Sequence, residues 1–92
     1  GMAYAVTESY QWYKGADATT WGVSKSIEGA KKILRESIEE LYSDYFLDME
    51  EDEVEDFIQS RFIEGTGNIV FWMDEDDDAV RKFYIDEIAI SE

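Results

Sequence analysis

Three aspartates at alternate positions, Asp74, Asp76 and Asp78, stand where the first, third and fifth ligands of an EF-hand calcium loop would stand. The pattern fails at its two most demanding points. The sixth position is Ala79, where glycine should permit the sharp turn, and the twelfth is Ile85, where a bidentate glutamate should close the site. The cluster Asp74 to Asp78 therefore reads as a solvated acidic turn, with weak divalent-cation binding as the alternative. No dedicated metal ligand set and no cofactor is expected elsewhere. The chain has neither histidine nor cysteine, which removes the commonest general base, the commonest thiol nucleophile and the usual zinc ligands. Carboxylate pairs can cleave glycosides, but 23 Asp and Glu in 92 residues bring some pair close by chance alone. An enzyme is not expected. Gly65-Thr66-Gly67 lacks the lysine and the strand-then-helix setting of a phosphate loop, and reads as a helix stop.

The remaining chemistry is charge. Residues 1 to 35 hold five Lys or Arg against three acids, whereas residues 36 to 92 hold three against twenty, so a net of +2 is followed by −17. Between Glu36 and Asp56, eleven of twenty-one residues are acidic and none is basic. Such a band repels nucleic acid and anionic membranes and attracts basic protein surfaces. The residues expected to lead binding are Glu36, Glu39, Glu40, Asp44, Glu50, Glu51, Asp52, Glu53, Glu55 and Asp56. The expected function is that of a small acidic binding protein engaging a basic protein surface, with nucleic-acid mimicry as one form of it. In size, acidity and lack of catalytic residues the chain is similar in general character to small inhibitors that mimic DNA, including anti-restriction and anti-CRISPR types, although it carries no family motif. The rival readings are a structural or self-associating domain without a ligand, and the weak cation module at Asp74 to Asp78.

These residues need elements to position them. Tyr4, Val6, Tyr10 and Trp12 alternate with polar or small residues, which predicts a strand with one apolar face, interrupted only at Glu8. Lys14 to Ala18 reads as a loop, and Trp21 and Val23, spaced by Gly22, as a short second strand completing a hairpin. Ser26 is a natural N-cap. After it Ile27, Ala30, Ile33, Leu34, Ile38, Leu41, Tyr42 and Tyr45 follow helical spacing, with Glu28 and Lys32 paired on the outer face. Asp52 is expected to cap a second helix, whose stripe Val54, Phe57, Ile58 and Phe62 runs to Gly65. Ile69 to Met73 is apolar on both parities, which predicts a strand covered on both faces, by a second copy if not by the chain itself. In the last strand Phe83 and Ile85 differ in parity from Ile88 and Ile90, so a bulge near Asp86-Glu87 is expected. Trp12, Tyr13, Trp21, Phe71 and Trp72 read as core rather than as an aromatic ligand site.

The fold class expected is α+β, with an antiparallel sheet of about four strands and the helices packed on one face. A hydrophobic content of 45%, with three Trp, six Tyr and five Phe, places residues 1 to 92 in a single folded domain and not among disordered acidic chains. Gly1 ahead of Met2 reads as a tag remnant. The absence of cysteine, of an apolar leader and of any run of about 20 apolar residues makes a reducing compartment, the cytoplasm, the expected location.

Overall fold

The structure, a computed structural model, describes residues 1–64, 69–76 and 79–91, with 62–64 and 69–76 described as backbone only. Residues 2 to 12 do form a strand, β1 (Met2–Trp12), paired antiparallel with β2 (Gly15–Ser24). The turn is shorter than expected. Tyr13 and Lys14 alone make it, because Gly15 to Ala18 continue the ladder opposite Trp12 to Ser9. A bulge interrupts the register between Val6 and Thr7, where Gly22 and Thr20 are the successive partners and Trp21 is the additional residue. This separates Trp21 from Val23. Trp21 packs against the core, whereas Val23, opposite Ala5, is exposed.

Helix α1 (Ile27–Leu41) begins as its sequence indicates. Ser26 is extended, with φ −129° and ψ 152°, and its Oγ accepts a hydrogen bond of 3.0 Å from the Gly29 N–H. Such a cap contributes about 1 kcal/mol. Ala30, Leu34, Ser37 and Ile38 form the buried stripe, and the Ser37 hydroxyl donates to the Ile33 carbonyl at 2.7 Å. Glu28 pairs with Lys31, at 3.8 Å, and not with Lys32 as expected. The helix stops at Leu41 because Tyr42, with φ −117° and ψ 31°, leaves helical geometry. One further turn, α2 (Ser43–Phe46), follows out of phase with α1, so Phe46 is buried and Tyr45 is 59% exposed. The expected stripe through Tyr45 is thereby corrected.

Helix α3 (Glu51–Gln59) starts after Glu50, not after Asp52, and no side chain caps it. Glu51, Asp52 and Glu53 instead occupy its first turn, where the positive end of the helix dipole stabilises each exposed carboxylate by about 0.3–1 kcal/mol. Val54 and Ile58 face inward. The helix ends well short of Gly65. Ser60 and Arg61 N–H groups close on the Asp56 and Ile58 carbonyls, the Ser60 hydroxyl takes that of Phe57, and Phe62 enters a strand, β3 (Phe62–Glu64). The proposed stop at Gly65-Thr66-Gly67 lies outside the described residues.

Two more strands, β4 (Ile69–Asp76) and β5 (Ala79–Ala89), complete an antiparallel sheet in the order β2-β1-β5-β4-β3. The fold is α+β. Among the described residues the sheet has five strands rather than about four, the additional one being β3, where helical spacing through Phe62 predicts a continuing helix. Asp74 to Asp76 belong to β4, where the register with β5 is irregular, and not to a turn. The rest of the acidic cluster, Asp77 and Asp78, and the side chains of Ile69 to Met73 lie outside the described residues.

No bulge occurs near Asp86-Glu87. The β1–β5 register is regular from Met2 opposite Ala89 to Trp12 opposite Ala79, so side chains alternate without a phase shift. Val6, Glu8, Phe83 and Ile85 consequently share one face, and Ala3, Ala5, Val23 and Ile88 the other. On the first face Val6, Phe83 and Ile85 join Ala30, Leu34, Ile38, Phe46, Val54 and Ile58 in one buried cluster. Gly22 lets α1 come close. A Cβ at this position would lie 3.3 Å from the Ile33 Cδ1, tighter than ordinary contact.

Candidate functional site

Leu34 and Ile38 of α1 and Val54 and Ile58 of α3 belong to one buried cluster, and residues of both helices border a common groove. The groove is lined by Lys32, Arg35, Glu36 and Glu39 from α1 and by Glu51 and Val54 from α3. It continues into a second depression lined by Arg35, Glu51, Asp52, Glu55 and Asp56. Six of the ten acids expected to lead binding therefore converge here: Glu36, Glu39, Glu51, Asp52, Glu55 and Asp56. Glu40, Asp44, Glu50 and Glu53 are exposed but do not line it.

Arg35 stands at the centre of these carboxylates, a role that its place in the less acidic half of the chain does not reveal. Its Nε donates to Glu39 Oε1 at 3.0 Å and its Nη1 to Glu55 Oε2, so one guanidinium ties α1 to α3. Gln59 Nε2 holds the other Glu55 oxygen at 3.0 Å. The hydrogen bond that Arg35 donates to Glu39 raises the Arg35 pKa above its ordinary value. Partial desolvation opposes the rise, and the charges of Glu55, Glu39 and Glu51 add to it. A raised folded pKa stabilises fully below the unfolded value and is lost only as pH rises through the folded one. Deprotonation of Arg35 therefore does not loosen this tie at any pH below the arginine range. Lys32 and Arg35 leave the groove with an excess of four negative charges over its lining residues.

A second charged cluster lies inside the protein. Glu8, the residue that interrupts the apolar face of β1, is buried; its Oε1 accepts from the Trp21 Nε1 at 2.8 Å and its Oε2 from the Arg81 Nη1. Arg81 also donates from Nε to the Tyr42 hydroxyl at 3.0 Å, and its guanidinium sits 4.4 Å from the centre of the Tyr10 ring. The bulge is what turns Trp21 toward Glu8. Among the described residues no buried side-chain nitrogen or oxygen lacks a hydrogen-bond partner. The cluster thus joins β1, β2, β5 and the end of α1 as an internal strut.

The aromatic residues divide. Trp21 is part of this strut, Trp12 stacks on Tyr10 with ring centres 5.4 Å apart, and Tyr13 is 75% exposed in the turn, contrary to its assignment to the core. The side chains of Phe71 and Trp72 lie outside the described residues. Among the described residues no group of three or more acids has metal-binding geometry, and no helix is long and apolar enough to cross a membrane. Comparison with protein-family models, with curated proteins and with solved structures gave no match.

Proposed function

We propose that this chain is a non-enzymatic binding protein that engages a basic protein surface through the groove between α1 and α3. The observation that carries the reading is the convergence of six carboxylates from two helices on one groove. Acids close in sequence are a composition effect, whereas acids from residues 36 to 39 and 51 to 56 brought to one place form a directional negative field. The Arg35–Glu55 ion pair and the shared core cluster hold the two helices that carry this field. A partner's lysine and arginine side chains can enter the groove without reorganising it, and steering by opposite charge speeds their encounter. A DNA- or RNA-binding protein is one partner of this kind, and binding to it would compete with its nucleic acid.

Replacing Glu36, Glu39 and Glu40 together by Gln tests the reading, since Gln keeps the shape and helix propensity of Glu. Partners captured at low salt and released by a high-salt wash are expected to associate about 10-fold more slowly with the triple variant, and the difference should fade near 0.15 M salt. Unaltered circular dichroism would confirm that α1 persists. Affinity that ignores both the substitutions and salt would rule out the acidic surface.

Self-association is the second reading, favoured by the sheet face turned away from the core. Val23 is 58% and Ile88 42% exposed there, beside the small Ala3 and Ala5. Face-to-face packing of two copies would cover them while keeping the acidic helices apart. Light scattering at tens of micromolar protein should then return the mass of a dimer, and a monomer mass would remove this reading.

A further inference from the structure

Between α1 and α3 the chain leaves large apolar side chains in water. Leu41 is 38% exposed, Tyr45 59% and Leu47 77%. Single exposed leucines are ordinary on a protein surface. Three large apolar residues within seven positions, at the junction of two acidic helices, are not explained by the fold, because burial in this segment is supplied by Phe46. Tyr45 is also held in place. Its ring centre lies 5.5 Å from that of Phe46 and 5.2 Å from that of Phe57, so the outward-facing ring is supported from below. A supported tyrosine offers wide contact area at small entropic cost, the property that makes this residue frequent at the centres of interfaces. Glu40, Asp44 and Asp48, all within five positions of Tyr45, are exposed, and no Lys or Arg occurs between Glu36 and Ser60; the guanidinium placed nearby, that of Arg61, lies 3.7 Å from the centre of the Phe57 ring.

We infer that Leu41, Tyr45 and Leu47 form an apolar anchor with an acidic rim, and that its occupant is a basic protein surface carrying an apolar cleft. This rests on the proposed acidic-groove reading and adds to it where the desolvated contact lies. The rim selects the occupant. A second copy would bring Glu40, Asp44 and Asp48 against their own counterparts, and an anionic bilayer would meet the same repulsion, whereas a basic surface complements the rim while its cleft takes the apolar side chains. Charge would then set the encounter rate, and Tyr45 with Leu47 the lifetime of the complex.

Two synthetic helical peptides of equal length and equal lysine content, one with leucine along its other face and one with glutamine, separate the anchor from the charge. By titration calorimetry at low salt the leucine peptide should bind the whole chain about 10-fold more tightly than the glutamine peptide, as expected for one or two well-packed apolar contacts. Leu47→Ser and Tyr45→Ser should each reduce that preference and leave the glutamine peptide's affinity unchanged. Tyr45→Ser can loosen the Phe46 and Phe57 packing, so Leu47→Ser, at a side chain 77% exposed, is the decisive variant. Equal affinity of the two peptides, or a preference untouched by Leu47→Ser, overturns the anchor while leaving the acidic groove standing. Failure of both peptides to bind overturns the groove as well. A dimer mass that Leu47→Ser reduces to a monomer would identify the occupant as a second copy, and vesicle binding that the same change abolishes would identify it as lipid; either result overturns the inference.

Discussion

Arg81→Met is expected to lower the free energy of unfolding by about 3–5 kcal/mol, because it leaves the Glu8 carboxylate buried without its counter-charge. Glu8 and Arg81 side chains are only 6% and 16% exposed, so water cannot replace the lost partner cheaply. The loss is a large fraction of the roughly 5–15 kcal/mol that holds a small domain folded. In urea the midpoint should fall at unchanged slope. Arg81→Lys should recover little, since the guanidinium addresses Glu8 and the Tyr42 hydroxyl from different nitrogens while lying over the Tyr10 ring. Combining Glu8→Leu with Arg81→Met should restore much of the stability by removing both charges, although the Trp21 Nε1–H then loses its acceptor. A single Arg81→Met variant as stable as the parent would mean that the pair is not closed in solution.

Phe83→Ala is the second large effect, with an expected loss of about 3–5 kcal/mol. Phe83 has no exposed surface, lies opposite Glu8 on β1, and shares its cluster with residues from all three helices. Truncation would leave a cavity at the meeting point of the sheet and the helical layer, where packed elements on every side limit collapse. Phe83→Leu should cost clearly less because it retains most of the apolar volume. Calorimetric melting of the three proteins orders them, and a Phe83→Ala variant that melts within a degree or two of the parent would place the core elsewhere.

How far the sequence discloses this architecture depends on the range of the interaction concerned. Ser26 and the spacing of Ala30, Leu34 and Ile38 are local signals, and they identify α1 correctly. The same periodicity fails at Tyr45, because a single non-helical residue, Tyr42, changes the phase and sends Phe46 inward. Trp21 and Val23 indicate a strand by their spacing, whereas the bulge opposite Val6 and Thr7, which sets Trp21 apart from Val23, arises from pairing with another strand. Glu8 is visible as a charge among apolar residues, but its partner Arg81 lies 73 positions away and has no local signature. The acidic band is legible as composition. Its convergence into a groove around Arg35 depends on α1 and α3 sharing one core cluster, which no run of charges specifies.

The side-by-side placement of β1 and β5 also has a kinetic meaning. The hydrogen bond from Thr7 to Asp86 spans 79 positions, and β5 contributes Phe83 and Ile85 to the same cluster as Val6. The β1–β2 hairpin and the helices can form from nearby residues, but the sheet that supports them closes only when a long segment, 79 positions from Thr7 to Asp86, is brought into a loop. Closure of the sheet is therefore a late event in folding. Until residues 79 to 89 pair with β1, the apolar stripe of α1 lacks Phe83 and Ile85 of its cluster, and like-charge repulsion among the crowded carboxylates of residues 36 to 56 opposes association between such half-assembled chains.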